Sequence, residues 1–124
     1  MKQIITDIKR KKLAEATHTT GTIPVVKYIA VGDGGVDQDG EPIAPDGSDT
    51  QLHNELVRKE YTSSQKISDS CYEYTLLLGT DELVGKYISE IALVDAEDDI
   101  VAIATFYAKG KDAMEDTFTI QDLY

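Results

Sequence analysis

The stretch KYISEIALVDAEDDIVAIATFY, residues 86–107, decides the fold. Two runs rich in β-branched and aromatic residues, Lys86–Val94 and Ile100–Tyr107, flank the short acidic tip Asp95–Asp99. That pattern predicts an antiparallel hairpin over about 86–107. Both runs are apolar on both faces over part of their length, which places them centrally in a sheet.

Working outward, Cys71–Leu78 alternates, with Tyr72, Tyr74, Leu76 and Leu78 on one face and Glu73 and Thr75 on the other. Thr117–Leu123 alternates as a closing strand, with Phe118 and Ile120 as expected core residues. Ile23–Val31 is β-branched and reads as a strand, with Pro24 at its start, where a missing N–H is tolerated. Arg58–Lys66 is polar and reads as a strand edge and a turn. At the other end, Met1, Ile4, Ile5 and Ile8 recur at helical spacing, which predicts a helix over about 1–16. Leu13 and Ala16 extend that stripe, and Lys12 falls within it, where its stem can snorkel. Thr17–Thr22 reads as a polar connector. The expected class is α+β: an N-terminal helix followed by a mainly antiparallel β domain of about five strands, with residues 1–124 forming one domain.

The chain of 124 residues carries 12 Lys+Arg against 23 Asp+Glu, a net charge of −11. Such an acidic chain repels phosphate backbones and anionic lipid, so neither nucleic acid nor a bare membrane surface is expected as a partner. The charge is divided unevenly. Residues 1–12 hold five basic and one acidic side chain, a net +4, and the remaining seven basic and 22 acidic side chains give −15. The cluster Lys9–Lys12 reads as a solvated helix face or as a docking element for an acidic surface, such as one on a neighbouring copy. Cys71 is the only cysteine, so no intrachain disulfide forms, and with His18 and His53 it matches no standard zinc spacing. No apolar run approaches the length of a membrane span, and the N-terminus lacks a signal-peptide core. The expectation is folding in a reducing cytoplasm.

Motifs for catalysis are weak. Gly32-Asp33-Gly34-Gly35 follows a strand, but Asp37 stands where a dinucleotide fingerprint needs its third glycine, and the local field is negative. The stretch Asp33–Asp49 holds six acidic residues, no Lys or Arg, four glycines and two prolines, and reads as a long exposed loop. Asp37, Asp39 and Glu41 alternate around Gly40, as oxygen ligands of a hard cation can, yet no Glu occupies the closing position of an EF-hand. There is no Gly-x-Ser-x-Gly elbow, and His18 and His53 are separated by a strand and a loop. No catalytic, cofactor-binding or metal-ligating residue is therefore assigned. Seven of the nine aromatic residues are tyrosine, a residue suited to half-buried strand faces and to protein interfaces.

Three segments, read in order, resemble the N-terminal region of bacteriophage tail fibre (tail-collar fibre) proteins. They are Tyr28-Ile29-Ala30-Val31-Gly32-Asp33-Gly34, then Thr50-Gln51-Leu52-His53-Asn54-Glu55-Leu56-Val57-Arg58, then Tyr87-Ile88-Ser89-Glu90-Ile91-Ala92-Leu93-Val94-Asp95 followed by Ile100-Val101-Ala102. The resemblance implies a non-enzymatic structural component of a phage or prophage-derived tail. It would sit in the virion tail after assembly in the bacterial cytoplasm, contact other tail or baseplate proteins and form a homo-oligomer, with a trimer as the arrangement that fibre proteins often take. The residues carrying it are Gly32, Asp33, Gly34, Leu52, Asn54, Glu55, Arg58, Glu90, Ile91 and Asp95, each expected to secure the fold. Gly32 and Gly34 allow positive φ, Asn54 can bond nearby backbone, and Glu55 and Arg58 are spaced to pair on a helical turn. Glu90 in an apolar strand needs a cation or hydrogen-bond donors if buried, and Arg58 is the candidate. A second reading is an accessory binding module that holds a cation or glycan at the loop 33–49. A third, an enzyme, would require a pocket bringing His18 or His53 against a carboxylate and a hydroxyl.

Overall fold

The computed structural model describes residues 2–124. In chain order its elements are β1 (Lys2–Ile5), α1 (Asp7–Glu15), a π-helical turn (Ala16–Thr20), β2 (Val26–Gly32), β3 (Glu55–Glu60), β4 (Ser63–Ser68), β5 (Cys71–Leu78), β6 (Tyr87–Asp95), β7 (Ile100–Gly110) and β8 (Asp116–Leu123). The strands form a five-stranded sheet in the order β1-β7-β6-β2-β3 and a three-stranded sheet in the order β4-β5-β8. Every strand pair is antiparallel.

The hairpin β6–β7 lies at the heart of the larger sheet, because both of its strands are apolar on both faces and need cover on both sides. On one face Ile91, Leu93 and Val101 meet Leu76, Leu78, Phe118 and Ile120 from the smaller sheet, forming the main core. On the other face Ala30, Ala92, Val94, Ile100 and Ile103 form a second cluster with Leu52 from the long β2–β3 connection.

The N-terminal helix expected over 1–16 is corrected. Lys2–Ile5 is an edge strand that pairs with β7, Gln3 lying opposite Ala104 and Ile5 opposite Ala102. Ile4 packs on the second cluster and Ile5 on the main core, which is the two-faced burial of a strand; Met1, also placed in the helical stripe, lies outside the described residues. Thr6 makes the switch. Fully buried, it donates its hydroxyl to the Ile100 carbonyl at 2.7 Å and accepts the Lys9 N–H at 3.3 Å, capping α1. The polar connector expected over Thr17–Thr22 is also partly helical, since the π-helical turn runs to Thr20 and ends at Gly21, whose φ is +68°. Eight strands replace the expected five or so. The additional ones are edges: β1, the charged β3, and β4, all six of whose residues are exposed and lack apolar alternation.

Replacing Thr6 by Ala removes the cap and the tie to β7 together. The substitution is expected to cost about 1–2 kcal/mol of folding stability, read from urea unfolding.

Candidate functional site

The segments Gly32–Gly35, Leu52–Asn54 and Ser89–Glu90 converge on one carboxylate. Glu90 is central in β6 and 2% exposed. Its Oε2 accepts the N–H groups of Gly34 at 2.9 Å and Asn54 at 2.8 Å, and its Oε1 accepts that of His53 at 2.9 Å. Next to it, Ser89 Oγ accepts the Gly35 N–H at 2.9 Å. Asn54 Nδ2 donates to Asp33 Oδ1 at 2.6 Å, the Asp33 N–H donates to the Asn54 carbonyl at 3.2 Å, and His53 Nδ1 lies 2.9 Å from the Gly34 carbonyl. Both ends of the β2–β3 connection are thus clasped to the central strand by backbone donors, which satisfy a buried carboxylate without a cation.

The glycines serve proximity, not positive φ as expected for Gly32 and Gly34; the glycines with positive φ are Gly21, Gly40 and Gly85. A β-carbon at Gly32 would run into the Asn54 carbonyl and the Glu90 carboxylate, one at Gly34 would lie 2.7 Å from His53 Cβ, and one at Gly35 would strike the Ser89 carbonyl. Between its clasped ends the acidic loop crosses the second face of the sheet. The hydroxyl of Thr105 donates to the Ile43 carbonyl at 2.7 Å, that of Tyr107 to Glu41 at 2.9 Å, and the Asp7 N–H to the Gly47 carbonyl at 2.8 Å. Within the loop, Asp37 Oδ1 accepts the N–H groups of Asp39 and Glu41 at 2.8 and 3.0 Å, so this carboxylate builds a tight turn. Among the described residues no group of three His, Cys, Asp or Glu side chains is arranged to hold a metal ion.

The expected Glu90–Arg58 pair does not form. Arg58 reaches Glu55 at 2.8 Å and Asp98 at 3.6 Å, while Glu90 is filled by N–H donors. The Glu55–Arg58 contact exists on a strand instead of a helical turn: an irregularity in the β2–β3 register between Val57 and Glu55 shifts the alternation, so residues three apart can meet. The contact with Glu55, outweighing partial burial, raises the Arg58 guanidinium above its ordinary value. Asn54 bonds the Asp33 side chain in place of nearby backbone. Leu52 is buried in the second cluster and Ile91 in the main core.

Asp95, the tenth motif residue, lies away from the clasp at the β6–β7 tip. It is 1% exposed, and its Oδ1 accepts the N–H groups of Glu97 at 2.9 Å and Asp99 at 3.1 Å. The three residues between Asp95 and Asp99 turn the chain with Asp98 at φ +65°, the left-handed conformation that completes such a hairpin. Lys12 inserts into this tip from α1, its Nζ 2.7 Å from Asp95, 2.8 Å from Asp99 and 3.0 Å from Glu97. Partial burial pulls its ammonium down, but the hydrogen bonds to Asp95, Asp99 and Glu97 outweigh that and hold it above its ordinary value of 10.5. A cavity of about 520 Å³ opens beside this contact, lined by Lys12, Glu15, Thr20, Ile23, Glu97 and Asp99. The basic cluster therefore docks in part on an acidic surface of its own chain. Sequence reading placed Lys12 in the packed stripe but missed its partners. The available signal was the coexistence of one lysine at an apolar position and a run of acids at a hairpin tip.

The family model described as "Phage tail-collar fibre protein, N-terminal" matches residues 1–123. Comparisons with curated proteins and with solved structures gave no match.

Two consequences are measurable. Glu90→Ala strands three N–H groups and is expected to cost about 3–5 kcal/mol in urea unfolding, while Glu90→Gln, which keeps one acceptor oxygen, costs about 2–3 kcal/mol. Lys12→Met leaves Asp95 buried without its cation and is expected to cost about 2–3 kcal/mol near neutral pH. Because the folded protein raises the Lys12 value, the stabilisation from this lysine is fully present below 10.5 and is lost as pH rises through the higher folded value. Alkaline melting curves should bring wild type toward Lys12→Met.

Proposed function

The chain belongs to the phage tail-collar fibre protein N-terminal family, and on that premise we propose that it is a non-enzymatic structural part of a phage or prophage-derived tail that attaches to tail or baseplate proteins. The family match along residues 1–123 is the observation that carries this reading. The motif geometry supports it. Glu90, Asp33 and Asn54 are engaged in holding the β2–β3 connection to the sheet, and Asp95 holds the hairpin tip and Lys12. Side chains so engaged build a rigid platform, and attachment falls to its surface. Assembly as a homo-oligomer, with a trimer as the fibre-like arrangement, belongs to the same proposal, as do synthesis in the bacterial cytoplasm and final residence in the virion tail.

The cation-holding alternative draws no support from the loop 33–49, where Asp37 serves its own turn. Immunogold labelling of purified particles tests the attachment reading. Label at the tail end of particles is the expected result; a protein found only free in the lysate, with no label on assembled tails, overturns it.

A further inference from the structure

We propose that the corner formed by Tyr72, Asp122 and Tyr124 is a socket for a cationic side chain, a lysine ammonium or an arginine guanidinium, presented by a basic partner protein. Asp122 lies in β8 on the inward row that also carries Phe118 and Ile120. It is 8% exposed, and its Oδ1 is buried with no hydrogen-bond partner among the described residues. A carboxylate oxygen removed from water and left without a donor is a costly arrangement, and a cation is the group that relieves it best. The chain does not supply one. Lys66 stands on the same cross-strand row beyond Tyr72 but pairs with Asp69 at 3.3 Å, and Arg10, whose charge reaches Tyr124, leaves Oδ1 unpaired.

The surroundings suit a cation. Tyr72, directly opposite Asp122 on β5, is 43% exposed, and Leu123 and Tyr124 are 53% and 54% exposed. Tyr74 lies one row inward, with Tyr61 edge-on to it at 5.0 Å. Burial first, then the charge of Asp122, raises the phenols of Tyr74 and Tyr124 above their ordinary value, with a hydrogen bond between Tyr124 and the Asp122 carboxylate adding to the second, so both stay neutral near pH 7 and Oδ1 alone lacks a donor. The result is a buried negative charge beside aromatic side chains, the chemistry with which interfaces anchor lysine and arginine. Rotation of the surface rings of Tyr72 or Tyr124 would open the way to Oδ1. A chain of net charge −11 attracts a basic surface, which commits the socket to a separate basic protein.

The proposal rests on the attachment reading only for the kind of partner, so the socket can be tested on the isolated chain. Amide NMR titrations with butylammonium and butylguanidinium, and with uncharged butylurea as control, report on it. The expected result is saturable millimolar shifts centred on Tyr72, Asp122, Leu123 and Tyr124 with both cations and none with butylurea. In Asp122→Asn the cation affinity should fall about tenfold or more while the melting temperature holds or rises. Should that variant not fold, Tyr72→Ala gives the same comparison through loss of the aromatic rim. Equal response to butylurea, shifts centred elsewhere, or affinity indifferent to these variants would overturn the socket. So would concentration-dependent self-association in sedimentation that Asp122→Asn abolishes, which would make a second copy the occupant. None of these outcomes bears on particle labelling, which tests the attachment reading by itself.

Discussion

One buried carboxylate organises the second face of this molecule. Glu90 sits in the central strand of the larger sheet and accepts N–H groups from Gly34, His53 and Asn54. A carboxylate in such a position is tolerated only when its lone pairs are met. Here the donors are backbone, which makes the requirement reciprocal, because those amides are themselves drawn away from water. The connection between β2 and β3 is too polar to fold back by hydrophobic burial alone. Clasped at both ends, it needs only Leu52 and a few hydrogen bonds along its course to stay on the sheet.

The uneven charge of the chain is resolved in the same internal way. Lys12 reaches the acidic hairpin tip and sits among Asp95, Glu97 and Asp99, so part of the apparent complementarity between a basic terminus and an acidic body is used within the chain. Burial of Asp95 and the shielding of Lys12 make this contact structural instead of a solvated surface pair. Arg10 and Lys11 remain exposed on α1. The surface available to a partner is therefore strongly acidic, with a tyrosine-rich corner on the smaller sheet, in keeping with a protein whose interior geometry is fixed and whose work is contact.

The central hairpin was legible because Ile88–Val94 and Ile100–Phe106 are apolar on both faces, and only a buried strand pair satisfies such runs. Strands β5 and β8 announced themselves by alternation. What escaped was held by tertiary context. Ile4 and Ile5 fit a helical stripe as well as a two-faced edge strand, and pairing with β7 decided between them. β3 and β4 are polar edges whose register comes from their neighbours. At the clasp, the motif residues were recognisable and the need of Glu90 for donors followed from its apolar neighbours. Their identity did not follow, because backbone amides leave no mark in side-chain chemistry; Arg58 was the visible candidate and lies elsewhere. Asp122 was hidden similarly, since only the folded β8 shows that its oxygen lacks a donor.

Native-state hydrogen exchange of the Gly34, His53 and Asn54 amides is the most direct measurement of the clasp. If Glu90 holds the connection as an integral part of the fold, these three amides exchange only through global unfolding, with the protection of the β6–β7 core. Exchange at the rate of the exposed turn around Gly40 would contradict the account, since the connection would then open independently of the sheet beneath it.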